Sequence, residues 1–168
     1  MNRVYLTIYQ KNSAFLRRRQ RLKKAVFFAD KIAACAIAAV YAAVIVYAII
    51  YGENLTRDLL RVFAVPALCF TLTSLLRLIF NEKRPYERGV APLFEKKREG
   101  RSFPSRHLSS AAVIAGISFF YMPVLGVISA TLGCVLFYTR FACGWHFPRD
   151  LLCGALLGAA CALSAFFI

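Results

Sequence analysis

Apolar residues in this chain do not alternate with polar ones; they run in long blocks separated by short charged stretches. Five blocks, residues 31–51, 59–80, 107–122, 123–140 and 149–168, read as helices in hydrocarbon. About 20 apolar residues cross a bilayer as a helix, whereas a spanning strand needs a polar–apolar alternation that these blocks lack. The third and fourth blocks are short and meet at Met122-Pro123, where the residue before proline is pushed out of helical backbone. The pattern predicts an all-α fold, a polytopic transmembrane helix bundle of about five spans.

Ahead of the first block, Tyr5, Leu6, Ile8, Tyr9, Phe15 and Leu16 precede a basic run from Arg17 to Lys24. Apolar anchors followed by cations predict an amphipathic, basic interfacial arm over residues 1–30, drawn to anionic lipid headgroups, with the membrane domain over 31–168. Asp30 and Lys31 before the first block, and no small-residue cleavage site after it, argue against a cleaved signal peptide.

Composition agrees with a membrane protein. The 168 residues suffice for one domain, and 60% of them are hydrophobic. The net charge of +14 would suit nucleic acid in a soluble chain. Here the cations lie at the ends of apolar blocks, and no nucleic-acid partner is expected. Cys35, Cys69, Cys134, Cys143, Cys153 and Cys161 fall in or beside those blocks without a Cys-x-x-Cys pair, and read as small buried hydrophobes. Neither a metal site nor a cofactor is expected.

Candidate chemistry gathers around the two histidines. His107 closes Pro104-Ser105-Arg106-His107, and His146 follows Thr139-Arg140 by five residues and precedes Asp150 by three. Upstream, Arg77 is followed after six residues by Arg84-Pro85. Each piece alone has an ordinary explanation: a snorkelling arginine at a helix end, a serine cap, a local His–Asp pair. Together they describe a site that holds and attacks a phosphoryl group. After His107 the only acid is Asp150 and the only bases are Arg140 and Arg149, and such charges at membrane helix ends usually face a polar cavity. Pro148 suits the first turn of a helix, which places Asp150 in that turn and His146 just before it. Residues 81–106, the one long polar connection, form the candidate active-site loop and carry Lys83, Arg88, Lys96, Lys97, Arg98 and Arg101 besides Arg84 and Arg106.

These clusters resemble the three signature motifs of the type 2 phosphatidic acid phosphatase family, membrane lipid phosphatases that share their site with vanadium haloperoxidases. The family pattern is Lys, six residues, Arg-Pro; then Pro-Ser-Gly-His; then Ser-Arg, five residues, His, three residues, Asp. The spacing agrees from Arg77 to Asp150. Arg77 replaces the lysine, Thr139 the serine and Arg106 the glycine. If the glycine position demanded a left-handed backbone, Arg106 would cost on the order of 1–2 kcal/mol.

The resemblance implies a nucleophilic His146 oriented by Asp150, a phosphohistidine intermediate, and His107 as acid for the leaving alkoxide and then base for water. Arg77, Arg84 and Arg140 suit bidentate charge neutralisation, with Ser105 as a further donor and Arg106 as an added cation. A bell-shaped pH dependence is expected. The substrate class is a lipid phosphate monoester or diphosphate such as phosphatidate, phosphatidylglycerophosphate or a polyprenyl diphosphate. The alternatives are a phosphotransferase with the same intermediate, or a non-catalytic binder of anionic lipid with its site closed by Arg106. The chain's compactness points to a bacterial plasma membrane. Five spans put the amino terminus and the active-site loop on one side, cytoplasmic by the positive-inside rule, whereas the family's site commonly faces away from the cytoplasm.

Overall fold

The computed structural model describes residues 3–95 and 99–168; Lys96, Lys97 and Arg98 lie outside the described residues. The fold is all-helical. Helix α1 (Arg3–Arg18) and α2 (Gln20–Tyr51) are followed by α3 (Leu55–Leu59), which runs through a π-helical turn (Leu60–Ala64) into α4 (Val65–Phe80). A 3₁₀ turn (Pro85–Arg88) interrupts the polar loop, and α5 (Arg106–Tyr121), α6 (Pro123–Ala142) and α7 (Pro148–Ser164) complete the bundle.

All five apolar blocks are helical. Three stretches are long and apolar enough to cross a membrane: Gln20–Tyr51, Leu55–Arg88 and Pro123–Ala142. Helices α5 and α7 have 16 and 17 residues, so at 1.5 Å per residue each covers roughly 24–26 Å, short of the ~30 Å hydrocarbon core. Helix α5 is buried over most of its surface, and α7 packs one face against it while Leu152, Leu156 and Leu163 stay exposed. Small residues let the two helices approach: a Cβ built on Gly154 would lie 2.5 Å from the Ser105 carbonyl oxygen, and Gly158 abuts the Ser109 carbonyl in the same way.

Two ends of the bundle are distinct. At one, Asp58 accepts from Tyr121 Oη (2.6 Å) and Arg61 Nη1 (3.2 Å), while Arg61 Nε donates to the Ala165 carbonyl, tying the start of α3 to the far ends of α5 and α7. At the other end the loop after α4, the start of α5 and the α6–α7 turn converge, and α1 lies over them. Tyr9 Oη donates to the Ala91 carbonyl (2.7 Å), and Arg17 Nη2 donates to the carbonyls of Ala91 and Pro92. Gly144 holds φ at +70°, and a side chain there would meet Tyr9 Oη.

Helix α1 therefore packs its aromatic face on the protein. Tyr5, Tyr9 and Leu16 are buried, while Ile8 and Phe15 are exposed. The basic run continues into α2, which begins at Gln20. Of the cysteines, Cys69, Cys143 and Cys161 are buried as expected, but Cys35 and Cys134 sit on the outer, apolar surface of α2 and α6.

Candidate active site

His146 stands in the turn between α6 and α7, 3% exposed. Pro148 opens α7 and Asp150 falls in its first turn. The carboxylate does not bond the imidazole directly: His146 Nδ1 and Asp150 Oδ2 are 3.8 Å apart, beyond hydrogen-bond range. Ser102, which no sequence pattern marked, stands between them. Its hydroxyl donates to Asp150 Oδ2 at 2.5 Å and lies 3.3 Å from His146 Nδ1. A hydroxyl has one proton. With that proton given to Asp150, Ser102 Oγ can only accept from the imidazole, which assigns the proton to Nδ1 and the lone pair to Nε2. Asp150 Oδ2 also accepts the Phe147 N–H at 3.1 Å, so the turn is locked on both sides of the histidine.

Ser105 is buried and precedes α5, but it is not an ordinary cap. Its side chain makes no capping bond, and its hydroxyl is buried without a partner. Its backbone N–H instead donates to the Asp150 carbonyl at 2.9 Å, joining the second cluster to the third. Arg106 is the first residue of α5 and does not have a positive φ; that conformation belongs, among non-glycine residues, to Asn81 and Arg101. The strain considered for this arginine does not arise, because the chain enters the helix with ordinary helical backbone.

The three arginines are buried, each at most 4% exposed. Arg77 Nη1 donates to the carbonyls of Pro104 (2.8 Å) and Ser102 (3.4 Å), fastening α4 to the loop. Arg84 donates through Nε to the Gly100 carbonyl (3.2 Å) and through Nη1 to that of Trp145 (3.4 Å). Arg140 Nη2 donates to Asp30 Oδ2 at 3.1 Å, and Thr139 Oγ1 donates to Asp30 Oδ1 at 3.0 Å. Asp30 is 2% exposed and was not among the residues the motifs singled out. Arg77 and Arg84 are thus held by backbone carbonyls, and Arg140 by the buried carboxylate of Asp30. Buried charge is costly unless it is paired or hydrogen-bonded, and each of these guanidiniums is fastened to the fold by such bonds.

Arg106 and His107 occupy a different place. They line a groove of about 380 Å³ between α2, α4 and α5, with Ile37, Tyr41, Phe70 and Ile114 as its apolar wall. The Arg106 guanidinium lies 5.7 Å from the centre of the Phe70 ring, and His107 is exposed. The structure thus brings Arg77, Arg84, Ser105, Arg140, His146 and Asp150 to buried positions at one end of the bundle and sets Arg106 and His107 in the groove beside α5.

Burial holds the His146 imidazole down to about 4; Asp150 raises it, and the positive charges of Arg84 and Arg140 lower it further. At neutral pH the ring is neutral and its Nε2 lone pair is available.

The family model of the PAP2 superfamily matches residues 58–168. This chain belongs to the PAP2 superfamily. The match contains all three residue clusters, while α1, α2 and Asp30 precede it. Two solved structures share the fold over nearly the whole chain. Aquifex aeolicus LpxE superposes with a TM-score of 0.72 at 22% identity, covering 97% of this chain and 94% of that one. A transmembrane PAP2-type phosphatidylglycerolphosphate phosphatase from Bacillus subtilis gives a TM-score of 0.69 at 21% identity, covering 99% and 86%. The curated proteins contain no match. The PAP2 assignment and the apolar helices make this an integral membrane protein with a phosphatase fold.

Proposed function

We propose that this PAP2 protein hydrolyses the phosphate monoester or diphosphate of a membrane lipid, with His146 as nucleophile. The observation that carries the reading is the Ser102 bridge. By fixing the proton on Nδ1 it leaves Nε2 as the attacking atom in a buried, neutral imidazole.

In the first step His146 Nε2 bonds to phosphorus and the ester P–O bond breaks. The departing alkoxide takes a proton from His107, and the imidazolium charge on His146 is stabilised through Ser102 and Asp150. In the second step water attacks the phosphohistidine, giving its proton to His107, and the N–P bond breaks to release inorganic phosphate. Arg77, Arg84 and Arg140, with Ser105, neutralise the non-bridging oxygens, where phosphoryl transfer gains most.

The apolar groove favours a lipid over a soluble ester. It opens beside His107, the proton donor to the leaving group, so the hydrocarbon of the substrate would leave the site along Phe70 and Ile37. Arg106 sits where a second anionic group of that lipid would lie. The Bacillus relative is named for phosphatidylglycerolphosphate, which makes that phospholipid a first substrate to try, beside phosphatidate and a polyprenyl diphosphate. A bacterial plasma membrane is the proposed setting.

The test is phosphate release by detergent-purified protein, with and without chelator, on those three lipids. Turnover that survives chelator and is lost in His146→Ala supports the histidine mechanism. A wild type that binds these lipids but releases no phosphate from any of them would replace the enzyme with an anionic-lipid binder.

A further inference from the structure

Among the described residues, six buried side-chain polar atoms have no hydrogen-bond partner, and four of them belong to the site or its cover: Ser105 Oγ, Arg140 Nε, Asp150 Oδ1 and Tyr5 Oη. Native interiors rarely leave such groups unpaired, and each one calls for an occupant. Ser105, Arg140 and Asp150 have already been placed at the candidate active site. Tyr5 comes from α1, outside the residues matched by the family, and nothing in the sequence motifs points to it.

The Tyr5 ring is held firmly. It is 8% exposed and packs 5.1 Å from the Phe147 ring, 5.9 Å from Phe141 and 6.0 Å from Tyr9. Phe147 adjoins His146 in the chain, and Phe141 adjoins Arg140. The neighbouring Tyr9 shows what an ordinary structural tyrosine does here, since its hydroxyl reaches the Ala91 carbonyl at 2.7 Å. Tyr5 has the same helix, the same face and a similar burial, yet its hydroxyl is left without an acceptor. Burial pushes the phenol up, with the charges on Tyr9 and Asp150 adding to it, so the group stays protonated and is a donor at every pH of interest.

Of these atoms, Tyr5 Oη, Ser105 Oγ and Arg140 Nε can donate, while Asp150 Oδ1 has the Arg149 Nε cation 3.5 Å away. A tetrahedral oxyanion offers those three donors several acceptor oxygens at once. We propose that Tyr5 is a substrate-binding residue: its hydroxyl donates to a non-bridging oxygen of the phosphoryl group, so that α1 completes the oxyanion site from above. This rests on the reading of the site as a phosphoryl site, and it deepens that reading by giving the amino-terminal helix a part in it. Helix α1 is then an element of the site as well as a basic membrane-surface segment.

Tyr5→Phe removes the hydroxyl and keeps the ring contacts. A hydrogen bond to a charged oxygen typically corresponds to about 10- to 100-fold. Two measurements are made on the full-length protein in detergent: inhibition or binding by inorganic phosphate, and kcat and KM on the best lipid phosphate. The expected result is that Tyr5→Phe weakens phosphate binding and lowers kcat/KM by about 10-fold or more, with the thermal midpoint unchanged. Tyr9→Phe gives the opposite pattern, a lower midpoint with phosphate affinity retained. Phosphate affinity in Tyr5→Phe equal to wild type overturns the proposal, whether or not stability changes. The two readings fail separately. A protein that binds phosphate through Tyr5 but turns over no lipid loses only the enzymatic reading, whereas a wild type that binds no phosphate at all overturns the Tyr5 assignment as well.

Discussion

Asp30 and Arg140 meet at 3.1 Å across 110 residues of chain, with side chains 3% and 4% exposed. The pair joins α2 to the last turn of α6, from which the His146 turn departs. Breaking such a pair from one side leaves an uncompensated buried charge, typically about 3–5 kcal/mol. Asp30→Ala is therefore expected to lower the thermal midpoint in detergent sharply. Replacing both partners, Asp30→Leu with Arg140→Met, is expected to recover much of that stability but not turnover, because the proposed mechanism places the guanidinium at the phosphoryl oxygens. Differential scanning fluorimetry beside phosphate release separates the two effects.

In the proposed mechanism Ser102 sets the tautomer of His146. Ser102→Ala removes the bond to Asp150 Oδ2 and the contact to Nδ1 together, while the imidazole stays in place. The expectation is a fall in kcat of about 10- to 100-fold, the range for losing a hydrogen bond to a charged group, with KM little changed. Steady-state kinetics of Ser102→Ala and Ser102→Thr test it. Threonine keeps the hydroxyl and is expected to restore most of the rate.

The His146 imidazole, held down to about 4 by burial, gives the pH dependence a definite sign. Attack requires the neutral ring, so kcat/KM is expected to hold through mild acid and to fall only as pH approaches about 4, well below the ordinary histidine value of about 6.5. Stability follows the same group. Its folded value is depressed, so the contribution is complete above about pH 6.5, where both states are neutral. It declines as pH falls toward 4, where the unfolded chain takes up a proton and the folded one does not, by up to ~1.4 kcal/mol per pH unit. His146→Gln is expected to flatten that slope in unfolding measured between pH 7 and 4.

Much of this arrangement was legible in the chain. The apolar blocks marked the helices because hydrocarbon-facing residues need no alternation, and Pro148 placed Asp150 in the first turn of α7. The residues that escaped notice lack a local signature. Asp30 looked like a flanking charge because its partner, Arg140, lies on another helix. Ser102 is one serine in a polar loop, and its meaning comes from where the loop folds. Tyr5 and Tyr9, one helical turn apart, carry the pattern of an interfacial anchor, and the sequence does not say whether that face meets lipid or protein. Arg106 invited an argument from strain because glycine stands there in the family pattern. In this fold the position is the first turn of a helix, where any side chain fits.

The distance between α5 and α7 sets the relation of Ser105 to His146, and Gly154 sets that distance. The Ser105 N–H reaches the Asp150 carbonyl at 2.9 Å, and a Cβ on Gly154 would press within 2.5 Å of the Ser105 carbonyl oxygen and 3.1 Å of its nitrogen. Backbone atoms on both sides leave no flexible end to move aside. Gly154→Ala is therefore expected to push the first turns of α5 and α7 apart at a cost of about 1–3 kcal/mol, the usual range for overpacking. It should also reduce turnover at least 10-fold by separating Ser105 from the His146 turn. Gly133→Ala on α6 is the control. Its nearest neighbour would be the Ala111 Cβ at 3.7 Å, an ordinary contact, so there the higher helix propensity of alanine should leave stability equal or improved by up to ~1 kcal/mol. Thermal midpoints and phosphate release for the two variants decide the matter. Equal behaviour at both positions would show that close contact at Gly154 does not govern the site.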